Sequence, residues 1–183
     1  MGHQGYATPL DDIAAWRGAA PAPGTLPPHL RAFLQSGAHP ILGTRGADGR
    51  PLVGSGTAAR VEADGTVRVL AQRLGNGPLL EALAAGAAIA ATFSHPRDHR
   101  SIQLKARAVT VTPARPDDAT EAARQVAVLT DYLLRLGYEP AQARGISAFD
   151  ADDLVSVEFL PEQVFTQTPG PGAGTELRAE PAA

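Results

Sequence analysis

The stretch HPILGTRGADGRPLVGSGTAARV, residues 39–61, carries the clearest structural pattern in the chain. Its first arm is apolar as far as Thr44, and the pair Asp48-Gly49 separates it from a second arm that runs from Pro51 to Val61. Asp-Gly pairs favour hairpin turns because those turns need residues with positive φ. The stretch therefore predicts a β-hairpin, and with it a sheet built by antiparallel pairing.

The rest of the chain extends this pattern outward. A second Asp-Gly pair, Asp64-Gly65, leads into a strand at 66–70 in which apolar and polar residues alternate. Further strands are predicted at 88–93, 101–112 and 154–160, and helices at 27–37, 76–85, 116–137 and 139–145. In the longest helix, Asp118 and Glu121 match a capping box. Six strands with few helices predict an α+β domain with a small antiparallel barrel.

Three segments are expected along the chain. Residues 1–26 are predicted to be an extended N-terminal arm, which Leu10, Ile13 and Trp16 could anchor against the domain or a partner. Residues 27–162 form the barrel domain, and 163–183 form a tail rich in Pro and Gly. The Pro-Gly run at 21–24 belongs to the arm.

Composition excludes several classes of function. The 183 residues contain no cysteine, which excludes disulfide frameworks, iron–sulfur clusters and thiolate zinc sites. The net charge is −3 with no block of like charge, so neither nucleic acid nor a membrane is expected as a partner. Residues 1–6 lack the features of a secretory signal, and no apolar run is long enough to span a membrane. We expect a cytoplasmic protein.

No hydrolase or nucleoside triphosphatase motif is present. His95 and His99 share a loop, but this spacing, with no acidic partner of suitable geometry evident beyond Asp98, is weak evidence for a metal. We expect a solvent-facing loop that could border a substrate cleft, and no metal site. His39, at the start of a strand, is expected to be structural.

Four local features occur in an order that is typical of one superfamily. They are Ile41-Leu42-Gly43-Thr44 followed by Asp48-Gly49-Arg50-Pro51, then Asp64-Gly65-x-Val67-x-Val69, then the helix and strand at 79–93, and finally Gln103-Leu104-Lys105-Ala106-Arg107-Ala108. This arrangement, over 27–160, resembles the pyridoxamine 5′-phosphate oxidase-like superfamily of FMN-binding split barrels. The resemblance implies a homodimer of six-stranded split barrels, with FMN in the cleft between them and a small molecule as substrate.

The resemblance also implies where the cofactor would be held. Matching positions here are Ser55, Gly56, Thr57, Gln72, Arg73, Asn76, Gln103 and Lys105. No catalytic side chain is implied, since the flavin itself carries the redox chemistry of an oxidoreductase. From the residues alone, the small residues near Ser55 could equally pack at a dimer seam, and Gln103 and Lys105 could form a solvated strand face.

One departure from the family pattern concerns the phosphate. The oxidases carry an Arg-Lys pair at the start of the short helix, where this chain has Asn76-Gly77. Arg73 could supply a cation instead. The substrate-phosphate arginines of the oxidases are not recognisable, so vitamin B6 oxidation is not expected. The alternative is a non-catalytic binding protein of the same fold that holds haem, another flavin-like ligand or no cofactor, or serves as a scaffold.

Overall fold

The computed structural model of the protein describes residues 7–19 and 25–178. The expectations for 1–6, 21–24 and 179–183 lie outside the described residues. Within the described ranges, no helix combines the length and the apolar character needed to cross a bilayer.

The described chain is α+β, with a single antiparallel sheet of eight strands. The strands are β1 (His39–Arg45), β2 (Pro51–Val61), β3 (Val67–Gln72), β4 (Ile89–Ser94), β5 (Ser101–Ala106), β6 (Thr110–Pro113), β7 (Leu154–Phe159) and β8 (Gln163–Thr166). Their order across the sheet is β6-β7-β3-β2-β1-β4-β5-β8. The predicted class and the antiparallel pairing are confirmed, while closure into a split barrel stays a prediction.

The prediction of six strands is wrong, for two reasons. The segment 101–112 alternates throughout, yet the chain leaves the sheet after Ala106, and β6 pairs with β7 rather than continuing beside β4. Alternation of apolar and polar residues indicates which face of a sheet a residue occupies, but not which strand it pairs with. The break after Ala106 could therefore not be predicted from the sequence. The second added strand, β8, lies in the segment that was predicted to be a tail. It is only four residues long and pairs with β5.

Five α-helices accompany the sheet. They are α1 (Pro9–Ala19), α2 (Pro28–Leu34), α3 (Gly77–Ala84), α4 (Asp118–Arg135) and α5 (Pro140–Ser147). Helix α3 contacts both β1 and β6, which are four positions apart in the strand order. Four spacings amount to about 19 Å in a flat sheet, so this shared contact is consistent with a sheet that curves around the helix.

The N-terminal segment differs from the extended arm that was predicted, because 9–19 is helical. Thr8 and Asp11 exchange hydrogen bonds: the Asp11 carboxylate accepts from the Thr8 amide at 2.8 Å, and the Thr8 hydroxyl accepts from the Asp11 amide at 3.3 Å. Pro9 follows Thr8, as is common at helix starts. This Thr-Pro-x-Asp pattern is a reciprocal cap that sequence analysis overlooked. Trp16, on this helix, is buried in the main core.

The C-terminal segment folds back on the sheet. Glu176 pairs with Phe165 of β8, and Leu177 is 7% exposed. Asp12 of α1 accepts hydrogen bonds from the hydroxyls of Thr166 and Thr168, at 2.7 and 2.6 Å. The helix at one end of the described chain is therefore fastened to the strand at the other end.

Candidate functional site

Five of the eight predicted cofactor residues line one pocket. They are Ser55, Gly56 and Thr57 of β2, Gln72 at the end of β3, and Asn76 before α3. The pocket has a volume of about 180 Å³, and side chains of α4 and α5 form its other wall, among them Val126, Leu129 and Ile146. Strand β2 pairs with β3, which explains why residues far apart in sequence meet here.

The side chain of Asn76 forms hydrogen bonds with the backbone around it. Its Nδ2 donates to the carbonyls of Ser55 and Gln72, at 3.1 and 2.8 Å, and its Oδ1 accepts from the Ser55 amide at 3.0 Å. Both amide hydrogens of Nδ2 are used in these bonds. Asn76 occupies the N-cap position of α3, but its side chain makes no capping bond. It therefore fastens the loop after β3 to β2.

Gly54 makes this arrangement possible. A Cβ atom added to Gly54 would overlap Oδ1 of Asn76, so one of the two groups would have to move. A Cβ on Gly56 would lie 2.7 Å from Cγ1 of Val69. Gly54 and Gly56 therefore leave room for side chains of the protein itself, those of Asn76 and Val69. The sequence alone had suggested packing at a dimer seam or contact with a cofactor as reasons for small residues here.

Ser55 is paired with a histidine that the sequence did not assign to the site. Its Oγ lies 2.9 Å from Nε2 of His39, which belongs to β1. Burial lowers the pKa of His39 from its ordinary value. The ring is therefore mainly neutral at pH 7 and can donate or accept a proton at Nε2.

Gln72 and Arg73 lie at the end of β3, next to a turn that carries acidic residues. Gln72 Oε1 accepts from the Asp150 amide at 3.3 Å, and the Arg73 amide donates to the Asp153 carbonyl at 3.0 Å. The Asp153 carboxylate accepts from the amide of Leu74 at 2.8 Å, so it occupies a donor that a phosphate would otherwise use. The side chain of Arg73 is exposed, and its chain neighbours Gln72 and Leu74 line the pocket.

Gln103 and Lys105 do not join the other predicted residues within one protomer. The register places Ser55 opposite Ile41, Ile41 opposite Thr92, and Thr92 opposite Gln103. Three strand spacings, about 14 Å, therefore separate Ser55 from Gln103 on the same face of the sheet.

Both side chains on β5 have partners of their own. Gln103 Nε2 donates to the Thr92 hydroxyl at 2.9 Å. The Lys105 ammonium lies 4.4 Å from the centre of the Phe165 ring, which is a cation–π distance.

A second pocket adjoins the first and has a volume of about 360 Å³. Its lining combines three histidines and two serines with apolar side chains: His39, Ser94, His95, Pro96, His99, Ser101, Leu129, Leu133, Ile146 and Pro169. His39, Leu129 and Ile146 line both pockets. The two pockets form one groove between the sheet and the α4–α5 pair, which we call the histidine groove.

His95 does not face solvent as the sequence predicted, since it is 6% exposed. Its ring packs edge-on against Tyr132 of α4, with 4.5 Å between ring centres. Burial lowers the pKa of His95, and the charges of Arg97 and Arg100 lower it further, while Asp98 acts in the opposite direction. Its Nδ1 accepts from the Arg97 amide at 3.3 Å, so the neutral ring carries its proton on Nε2.

Neither a protein-family model nor a curated protein matches this chain. Solved structures do match it. HupZ from Group A Streptococcus is 12% identical with a TM-score of 0.50, and the match covers 80% of this chain and 97% of that one. Another solved structure is 20% identical with a TM-score of 0.50, covering 95% of this chain and 96% of that one. A pyridoxamine 5′-phosphate oxidase-related, FMN-binding protein from Nostoc punctiforme is 15% identical with a TM-score of 0.42, covering 87% and 83%.

The chain shares its fold with HupZ and with the 20%-identical structure, and the solved structures that match it include a protein described as pyridoxamine 5′-phosphate oxidase-related, in line with the sequence resemblance. At identities of 20% and below, the likeness is one of fold. Activity, cofactor and substrate have to be argued from the chain's own residues.

Proposed function

We propose that this chain is an FMN-dependent oxidoreductase that acts on a small molecule as a homodimer. The observation that carries the proposal is that Ser55, Gly56, Thr57, Gln72 and Asn76 line one pocket. The family resemblance assigns the same five positions to the cofactor. FMN, when bound, supplies the site that accepts and donates hydride.

The size of the pocket favours a dimeric site. A volume of about 180 Å³ is below the 300–1,000 Å³ that is usual for ligands of this size. The sheet face that carries Ser55 also exposes apolar side chains, with Ile41 39% and Val53 70% exposed. A second copy packed on this face would cover these side chains and enlarge the cavity. Gln103 and Lys105 lie on the same face and could then reach a cofactor held between the copies.

The phosphate of FMN needs a cation, and Arg73 is our candidate. Of the described residues that line the first pocket, none is Lys or Arg, whereas Arg73 lies exposed at its edge. A charge-assisted hydrogen bond from a guanidinium to a phosphate is among the stronger polar contacts in proteins. The neighbouring Asp153 acts against an anion here, so the contribution of Arg73 should be measurable.

The first experiment titrates the purified protein with FMN and follows quenching of flavin fluorescence. We expect Arg73→Ala to weaken FMN binding by about 1.5–3 kcal/mol. Arg50→Ala is the matched control, because Arg50 is 84% exposed on the β1–β2 turn. An unchanged dissociation constant in Arg73→Ala would place the phosphate elsewhere. Absence of FMN binding by the wild type would overturn the proposal, and a haem Soret shift lost on replacing His95 or His99 would then support the non-catalytic alternative.

The second experiment measures the oligomeric state by sedimentation equilibrium. We expect a dimer for the wild type and a monomer for Val53→Asp, because a charge would be buried without a partner. Leu160→Asp is the control, since Leu160 is 49% exposed and directly follows the end of β7. A monomeric wild type would leave the pocket at about 180 Å³, with no second copy to enlarge it, and would contradict the dimeric site.

A further inference from the structure

The histidine groove has an end that the cofactor assignment leaves unused. This end, the 360 Å³ pocket around His95, has leucine, isoleucine and proline side chains as its apolar wall. Its volume falls within the range that is usual for small-molecule sites. Because it shares His39, Leu129 and Ile146 with the proposed cofactor pocket, a molecule bound here would lie directly beside the cofactor.

Fixed charge is missing from the lining of this groove. Among the described residues that line its two pockets, none is Asp, Glu, Lys or Arg. The two arginines of the His95 loop have contacts of their own: Arg100 donates to Asp12 at 2.7 Å, and the Arg97 guanidinium lies 5.9 Å from the Tyr132 ring centre. Burial also keeps His39 and His95 mainly neutral at pH 7. In the pocket around His95, an ionised ligand would lose part of its hydration, and no charged side chain in the described part of the lining would replace it.

Hydrogen-bonding groups are nevertheless present along one side. The neutral His95 ring carries its proton on Nε2, which Arg97 does not use. Ser94 and Ser101 share a hydrogen bond of 2.8 Å between their hydroxyls, and one of the two oxygens keeps acceptor capacity. An apolar wall with a few polar groups on one side is the usual composition of a site for a ring compound with one polar substituent.

We propose that the pocket around His95 is the substrate subsite and that it binds an uncharged, ring-sized apolar molecule with a hydrogen-bonding substituent. That the bound molecule is the substrate rests on the proposed oxidoreductase function, whereas its binding in this pocket does not. His39 is then a positioning residue, since it touches both pockets and holds Ser55 at 2.9 Å.

The test uses two probes that differ in charge and share a ring. We expect the wild type to bind 2-naphthol at least tenfold more tightly than 2-naphthalenesulfonate, as followed by probe fluorescence at pH 7.5. Equal binding of the two probes, or binding of neither, would overturn the proposal. This comparison needs no variant and therefore does not depend on the folding of one.

A charge introduced at the rim of the histidine groove tests whether the probes bind there. Ile146 and Leu136 are each 52% exposed, but Ile146 lines the groove and Leu136, at the end of α4, does not. We expect Ile146→Arg to shift the preference toward the sulfonate by at least tenfold, and Leu136→Arg to leave it unchanged. Equal effects of the two variants would show that the probes bind elsewhere and would overturn the assignment.

The same preparations are titrated with FMN, which separates the two proposals. Selective naphthol binding without FMN binding would leave the subsite standing and remove the oxidoreductase. FMN binding without a preference for naphthol would support the oxidoreductase proposal and overturn the proposed subsite.

Discussion

Arg68 of β3 and Asp118 of α4 form a fully buried, two-pronged ion pair. Nη1 and Nη2 of Arg68 donate to the two Asp118 oxygens at 3.0 and 2.8 Å, and both side chains are 0% exposed. Glu158 of β7 accepts from Nε of the same guanidinium at 3.0 Å. One arginine thus joins two neighbouring strands to the start of the helix that walls the histidine groove.

Replacing Asp118 should be severely destabilising. Asp118→Asn keeps the shape of the side chain but leaves Arg68 buried with too little opposing charge, and such losses amount to about 3–5 kcal/mol. The free energy of unfolding in urea measures the effect. Asp117→Asn is the control, because Asp117 is 64% exposed in its pair with Arg60 and should change stability by less than about 1 kcal/mol. Similar losses in the two variants would contradict this account.

The same cluster predicts how stability depends on pH. Burial opposes ionisation of Asp118, but hydrogen bonds from Arg68 and the Arg115 amide and the Arg68 charge outweigh it, so the pKa lies below the ordinary 3.8. For Glu158, burial is likewise outweighed by bonds from Arg68 and Thr112, and the pKa lies below 4.5. Below these ordinary values the unfolded chain binds more protons than the folded one. This stabilisation is therefore complete above about pH 5 and is lost as the pH falls through the folded pKa values.

Urea unfolding at pH 7, 5 and 3 tests that dependence. We expect the wild type to lose stability mainly between pH 5 and 3, and Asp118→Asn to lose less over the same interval, since it lacks one of the titrating carboxyls. Parallel losses in the two proteins would mean that Asp118 makes no contribution to the acid response.

The close approach of Gly54 and Asn76 gives a third prediction. Gly54→Ala would force Oδ1 of Asn76 away and should cost about 1–3 kcal/mol, as other overpacked sites do. Gly43→Ala is the matched strand glycine, because its added Cβ would meet Ala90 at an ordinary 3.6 Å. In thermal unfolding, the double variant Gly54→Ala/Asn76→Gly should be more stable than the sum of the two single changes implies. Strict additivity would show that the two positions do not conflict.

Gln125 of α4 gives a fourth prediction, because its side chain forms hydrogen bonds with backbone groups of β2. Its Oε1 accepts from the Ala59 amide at 3.1 Å, and its Nε2 donates to the Ala59 carbonyl at 2.6 Å. Gln125→Leu leaves both buried backbone groups unpaired, at about 1–3 kcal/mol each. The exposed Gln163→Leu should be nearly neutral. Urea midpoints compare the two, and a neutral Gln125→Leu would mean that water replaces the lost bonds.

Several elements could be predicted because their causes are local. Both Asp-Gly turns carry glycine at positive φ, 80° at Gly49 and 91° at Gly65. The amphipathic stripe of α4 likewise buries Leu129 and Leu133. The same local reasoning would have found α1, because Thr8, Pro9 and Asp11 form a helix-start pattern within four residues.

Other features depend on residues that meet only in the folded chain. Asp118 and Glu121 match a capping box, yet Asp118 is drawn into the pair with Arg68, 50 positions away, and no side chain caps α4. The sequence resemblance assigns Asn76 to the cofactor, and in the folded chain its side-chain amide also donates to the backbone carbonyls of Gln72 and Ser55.

Turn chemistry and periodicity act over a few residues, so they are sufficient to predict the α+β class, the antiparallel hairpins and most helices. Which polar residues lie together depends on the folded chain. Strands β1 and β4 lie between Ser55 and Gln103, and the α4–α5 pair places His39 and His95 on one groove. Strand order and helix docking arise from the burial of the whole core, and no local pattern encodes them.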